Sequence, residues 1–164
     1  MDWDALLRIS HIIGTVLGVG GVTFADIFFL KAARDGKIDP HESETIRTVS
    51  IVLRIGLVLL VISGFGFLVY YRLAGFEARL MSPRLWAKLT IVFVILINGL
   101  LLEARKIPIA LGGPFSTVSW WAALILGVWR IKTSYFALIG GYLVFVFLGF
   151  LALTFIKKRL KISL

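Results

Sequence analysis

Charged residues divide this chain into five long uncharged stretches, at 9–25, 55–71, 89–102, 107–129 and 133–156. A hydrocarbon core of ~30 Å takes ~20 helical residues at ~1.5 Å each, so the stretches predict five helices, the shorter ones reaching past a charge at one end. Lys88 and Arg54 have side chains long enough to snorkel, which permits that extension. The first helix is predicted over 6–30, with Asp26 buried inside it and Gly36 beyond it as a left-handed C-cap. Asp39-Pro40-His41-Glu42 restarts the chain: Asp39 reads as N-cap, Pro40 as first helical residue and Glu42 as the capping-box acid. The second helix then spans 40–71 and begins in water. Ser82-Pro83 repeats the device and opens a third helix over 83–103. Gly112-Gly113-Pro114 interrupts the next stretch and confines the fourth helix to 115–130. That helix is the shortest; it crosses at minimal length or lies re-entrant or interfacial, with Trp120, Trp121 and Trp129 as interface residues. Ser134 caps a fifth helix over 135–156, closed by Lys157-Lys158-Arg159. The expected fold class is all-α: a polytopic integral membrane helix bundle, folded as one transmembrane domain over 1–164.

Composition agrees with this pattern. Hydrophobic residues make up 59% of the chain, charged residues only 16%, and mean hydropathy is +0.96, which leaves too little polar surface for a water-soluble globule. Asp2 and Asp4 occupy the place where a signal peptide needs basic residues, so the first hydrophobic segment is expected to stay in the mature protein. The absence of cysteine excludes disulfides, thiolate metal sites, iron–sulfur clusters and thioether-linked haem. A net charge of +9 would suggest nucleic acid in a soluble protein. Here Lys and Arg lie between apolar runs, where they meet anionic lipid headgroups, and the bilayer, not nucleic acid, is the expected partner. With five spans, ten basic residues fall on the side of the basic tail and seven on the other, which favours a cytoplasmic C-terminus and an external N-terminus.

His11, Thr15, Gly18, Val22, Ala25 and Asp26 fall on one helical face, small and polar. Gly14, Gly18, Gly20 and Gly21 of the same helix suit close packing against another helix. Antiparallel neighbours bring Asp26 and Arg54 to similar depth, as a structural ion pair or as a proton or cation station, with Asn98, Glu103 and Thr154 near the same level. His11 lies ~22 Å along the helix from Asp26 and belongs to the opposite layer, with Tyr70, Tyr71, Met81, Trp86, Lys88, Arg130 and Tyr135. It reads as a hydrogen-bonding neighbour of headgroups or as a ligand. His41 reads as a solvated residue on the other side. Two histidines on opposite sides provide no three-ligand zinc set, no metalloprotease motif and no bis-histidine haem within one subunit. A haem on His11 would take Met81, Lys88, water or a second copy of the chain on its other face.

Ser10-His11-Ile12-Ile13-Gly14, Gly18-Val19-Gly20-Gly21 and Asp26, with Ser63-Gly64, Asn98-Gly99 and Ser119-Trp120-Trp121, resemble small uncharacterised bacterial multi-span families. More distantly, a histidine before a glycine-rich turn, with Trp86-Ala87-Lys88-Leu89 opening the third helix, resembles the HemJ-type protoporphyrinogen oxidases and the CopD-like membrane proteins. The resemblance implies a bacterial inner membrane and, at His11 and Lys88, residues associated with haem and activity. The histidines of a b-type haem bundle are otherwise missing, and Asn98 stands in the later part of the third helix. Two functional readings follow. One is a redox protein linked to haem b or another tetrapyrrole, with His11 as ligand and Lys88 and Met81 beside it. The other is a transporter, ion path or structural protein without enzymatic activity, built on Asp26, Arg54, Asn98 and Glu103. Whether the chain is an enzyme, and whether it forms a homo-oligomer, stay open at this point.

Overall fold

The computed structural model describes residues 2–32, 39–129 and 132–159, of which the side chains of 110, 153, 154 and 156–159 are outside the description. Gly36, Arg130 and the side chains of Thr154 and the basic tail therefore lie outside the described residues. The described chain is helical without strands: α1 (Trp3–Ala32), α2 (Pro40–Leu73), α3 (Glu77–Leu80), α4 (Pro83–Glu103), α5 (Ile109–Val128) and α6 (Tyr135–Arg159). All but α3 are long and apolar enough to cross a membrane, and Phe65, Phe136 and Phe147 are among many large apolar side chains turned outward, as a lipid-facing surface requires. The end where α1 finishes and α2 begins is called the lower end here, and the opposite one the upper end.

The capping signals operate as read at two of three starts. Asp39 accepts from the Glu42 amide at 2.8 Å and Glu42 accepts from the Asp39 amide at 3.2 Å, a complete capping box with Pro40 behind it. Ser134 accepts from the Ala137 amide at 3.3 Å. Ser82 holds the N-cap position, but its hydroxyl makes no cap bond; its carbonyl accepts from the Leu85 and Trp86 amides instead. The α2–α4 connection also contains α3, which hydrophobic periodicity could not announce in four residues. The turn before it uses Gly75 at φ 73°, where glycine alone is unstrained.

The start of the fourth long helix corrects the sequence reading. α5 begins at Ile109, with Gly112, Gly113 and Pro114 inside it, rather than after Pro114. Proline at the sixth helical position forfeits one intrahelical bond and does not stop the helix. Gly112 serves close approach, since a Cβ there would lie 2.5 Å from Leu102 Cδ2, whereas one on Gly113 would meet Asp26 Oδ1 at an ordinary 3.5 Å. Asn98, buried on α4, donates to the Gly112 carbonyl at 2.9 Å and ties this turn down. At 20 residues α5 remains the shortest long helix, yet reaches ~30 Å, and it is the most buried of the five spans.

Helices α1 and α2 form a hairpin whose backbones touch. A Cβ on Gly56 would stand 2.7 Å from the Gly18 nitrogen, and one on Gly14 would stand 2.7 Å from the Leu60 nitrogen. The packing reading therefore holds for Gly14, Gly18 and Gly21, where a Cβ would come within 3.1 Å of a neighbouring helix, and not for Gly20, where a Cβ meets nothing within 4 Å. On the other side α5 packs against α1, α4 and α6, and the Trp120 indole lies over Gly18, joining the hairpin to the remaining three long helices. Between the helices a single polar device recurs. The hydroxyl of Ser63, Thr90, Ser119 or Thr23 donates to a carbonyl one turn back in its own helix, at 2.6 to 3.0 Å. Its lone pair then accepts from a neighbouring helix: His11 on Ser63, Tyr135 on Thr90, Tyr142 on Ser119 and Trp121 on Thr23. No backbone group gives up its helical bond, which is the condition for polar contacts in lipid.

Candidate functional site

The lower half contains a cavity of about 520 Å³ between α1, α2, α4 and α5. Its existence follows from the packing: α2 leans on α1 and α3 but not extensively on α4, so the hairpin and the α4–α5 pair diverge below the Gly18–Trp120 junction. The walls are mainly apolar, with Val22, Phe29, Leu53, Leu57, Ile95 and Leu100 among them. Among the described residues, the charged ones in the lining are Asp26, Arg54 and Glu103. Asp26 and Arg54 therefore line one cavity. The Arg54 guanidinium meets Glu103 at 2.9 Å, which ties α2 to α4 across the gap, and both side chains remain more than half exposed.

Asp26 is held differently. Thr117 on α5 sends its hydroxyl proton to Asp26 Oδ2 at 2.5 Å and stands 3.3 Å from the Gly113 carbonyl of its own helix. It thus reverses the pattern of the other four hydroxyls and spends its donor on a carboxylate. Thr117 falls inside the predicted 115–130 helix, yet it escaped sequence reading because a threonine donating to its own helix looks identical in sequence. Asn98, grouped with these residues by depth, is committed to Gly112 and is absent from the cavity lining.

At the upper end His11 Nδ1 lies 3.0 Å from Ser63 Oγ, and its ring meets Phe67 edge-on at 5.7 Å. Ser63 has one hydroxyl proton, given to Leu59 at 2.6 Å, so the hydroxyl can only accept from the imidazole. Neutral His11 is therefore the Nδ1–H tautomer and keeps a lone pair on Nε2. From Phe67 the rings of Tyr71 and Phe76 continue upward, capped by Arg79 at 5.0 and 4.9 Å from the two centroids. Lys88 lies half-buried in the second turn of α4. Met81 is 78% exposed in the connection before α4. Of the expected upper layer, Tyr135 is engaged with Thr90, and Trp86 bonds the Leu80 carbonyl at 3.0 Å. Among the described residues no cluster of three metal-binding side chains forms.

The chain matches no family model, no curated protein and no solved structure. Function must therefore be argued from the two sites themselves.

Proposed function

We propose that the chain is a membrane-embedded binding protein and carrier for small lipophilic solutes, which enter between α2 and α4 from the bilayer. The observation that carries this reading is the 520 Å³ cavity, apolar in its walls and charged at Asp26, Arg54 and Glu103. Its volume falls in the range of pockets that enclose small organic ligands, about 300–1,000 Å³, and a few placed polar groups in apolar walls are what such pockets use for orientation. Intramembrane carboxylates cost free energy and mark solute or ion paths, proton relays and ligand counter-ions. The test is binding of the neutral lipophile N-phenyl-1-naphthylamine to protein in phosphatidylcholine nanodiscs, counted above empty nanodiscs. One equivalent per chain is expected, lost when Ala25→Trp fills the cavity. Equal uptake by the folded Ala25→Trp variant, or none by the parent, refutes the reading.

A second reading is supported by the His11 tautomer. Metal-bound histidines donate their other ring N–H to a fixed acceptor, as His11 does to Ser63. In that reading His11 holds a haem b through Nε2, with Lys88 placed for an acidic edge group, and the haem supplies one-electron redox chemistry. Met81, in the connection, is the less suited second ligand. A Soret band in purified protein given haemin, lost in a folded His11→Ala variant, is the expected result; no band in the parent ends this reading.

A further inference from the structure

The charged groups of the cavity are engaged, Arg54 with Glu103 and Asp26 with Thr117. Two serine hydroxyls in the same lining are less fully used. Ser116 on α5 is 8% exposed, yet among the described residues its hydroxyl makes no hydrogen bond. The cause is local. A helical serine ordinarily donates to the carbonyl four residues back, which here is Gly112, and Asn98 already donates to that carbonyl at 2.9 Å. Ser50 on α2 carries the first half of the hydroxyl device found between the helices, donating to the Ile46 carbonyl at 2.8 Å. Among the described residues no neighbouring helix supplies the second half, so its lone pair is left to the cavity that Ser50 lines. Polar groups of this kind are costly where lipid and apolar side chains offer them no partner.

We infer that the cavity selects neutral lipophiles that carry a hydroxyl, alcohols or phenols with an apolar body, and that Ser116 and Ser50 are the groups that recognise it. This names the substrate class of the carrier reading and rests on it. Ser116 keeps both functions of a hydroxyl, donor and acceptor, whereas Ser50 has spent its proton and only accepts. A ligand hydroxyl suits both: its proton can go to either serine oxygen, and its own oxygen can take the Ser116 proton. A hydrocarbon of the same shape fills the apolar walls and leaves both serines unmet. Sites with buried polar groups reject the analogue that lacks the matching group for this reason, while a purely apolar pocket discriminates weakly.

4-Phenylphenol and 4-methylbiphenyl share their rings and differ by a hydroxyl in place of a methyl, so they isolate the hydrogen bond. Equilibrium dialysis against the full-length protein in phosphatidylcholine nanodiscs, corrected for empty nanodiscs, should show one 4-phenylphenol per chain. Relative to its concentration in the bilayer, it should bind about tenfold more tightly than 4-methylbiphenyl. Ser116→Ala removes no hydrogen bond seen within the described fold, so the variant should fold as the parent does. It should weaken 4-phenylphenol by about fivefold and leave 4-methylbiphenyl level or improved. Ser50→Ala should weaken the phenol in the same direction, by about threefold. Equal affinity for the two ligands in the parent, or a preference unchanged in Ser116→Ala, overturns the selection. So does a co-purifying lipid that occupies the cavity and is not displaced by the phenol. Naphthylamine binding that Ala25→Trp removes, beside equal affinity for the matched pair, would sink this inference and leave the carrier reading standing. If Ser116→Ala does not fold, Ser50→Ala carries the test, and an unchanged preference there counts against the proposal.

Discussion

Replacing Gly18 by alanine probes the junction that holds the hairpin to the rest of the bundle. The added methyl would stand 2.1, 2.2 and 2.7 Å from Cζ3, Cη2 and Cε3 of Trp120, against an ordinary carbon contact of about 3.5–4.0 Å. Trp120 is 1% exposed, so the ring has no surface to retreat to. Overpacking of this kind costs about 1–3 kcal/mol, and the better helix propensity of alanine returns about 0.5–1 kcal/mol, for a net loss of about 1–2 kcal/mol. Trp120→Leu removes all three ring atoms and by itself costs about 2–4 kcal/mol through the void it leaves; the indole N–H, which has no partner here, adds nothing to that loss. In the double variant the methyl enters the vacated space, so the combined loss should fall short of the sum by about 1–2 kcal/mol. Equilibrium unfolding in mixed micelles titrated with dodecyl sulfate gives all four stabilities. Gly20→Ala is the control, since a Cβ there meets nothing within 4 Å, and it should leave stability level or raise it by up to about 1 kcal/mol. A Gly18→Ala protein as stable as the parent, or two losses that simply add, would refute the packing argument.

Further outcomes follow from the same geometry. Asp39→Ala removes the reciprocal cap of α2 and should cost about 1 kcal/mol in that unfolding assay, with Asp39→Ser largely restoring it. Thr117→Val takes the hydroxyl donor from Asp26 and should cost about 1–3 kcal/mol, much less when Asp26→Leu is present; losses independent of Asp26 would show that the contact is idle. The Arg54–Glu103 pair is exposed enough that its coupling in a double-mutant cycle should not exceed about 1 kcal/mol, so its removal should change solute entry rates more than stability. Imidazole ¹⁵N shifts of neutral His11 should report a proton on Nδ1, and Ser63→Ala should release that preference; a proton on Nε2 in the parent contradicts the assignment.

The number of spanning helices was legible because it is set by the bilayer, which acts on runs of residues rather than on contacts. Asp39-Pro40-His41-Glu42 and Ser134 were legible because a cap is made within four residues. Gly112-Gly113-Pro114 misled for the opposite reason. In sequence, glycine that breaks a helix and glycine that admits a neighbour are the same residue. Only Leu102 against Gly112 and the Asn98 bond decide that this turn is helical.

The candidate site divides along the same line. Asp26, Arg54 and Glu103 could be grouped from depth alone, since an ionisable residue inside an apolar run attracts notice by its cost. Their partners could not be read, because depth fixes the height of a side chain and leaves its azimuth free. Arg54 and Glu103 meet across a gap beside the α1–α2 hairpin, where Gly14, Gly18 and Gly56 hold α2 against α1 while α2 touches α4 little. The same glycines that read as packing thus hold together the hairpin that forms one side of the cavity. Thr117 completes the argument: four hydroxyls donate to their own helices and cost the bilayer nothing, whereas this one turns to a carboxylate. A donor redirected in that way, in a solvent that supplies no replacement, marks Asp26 as a charge the fold is built to hold.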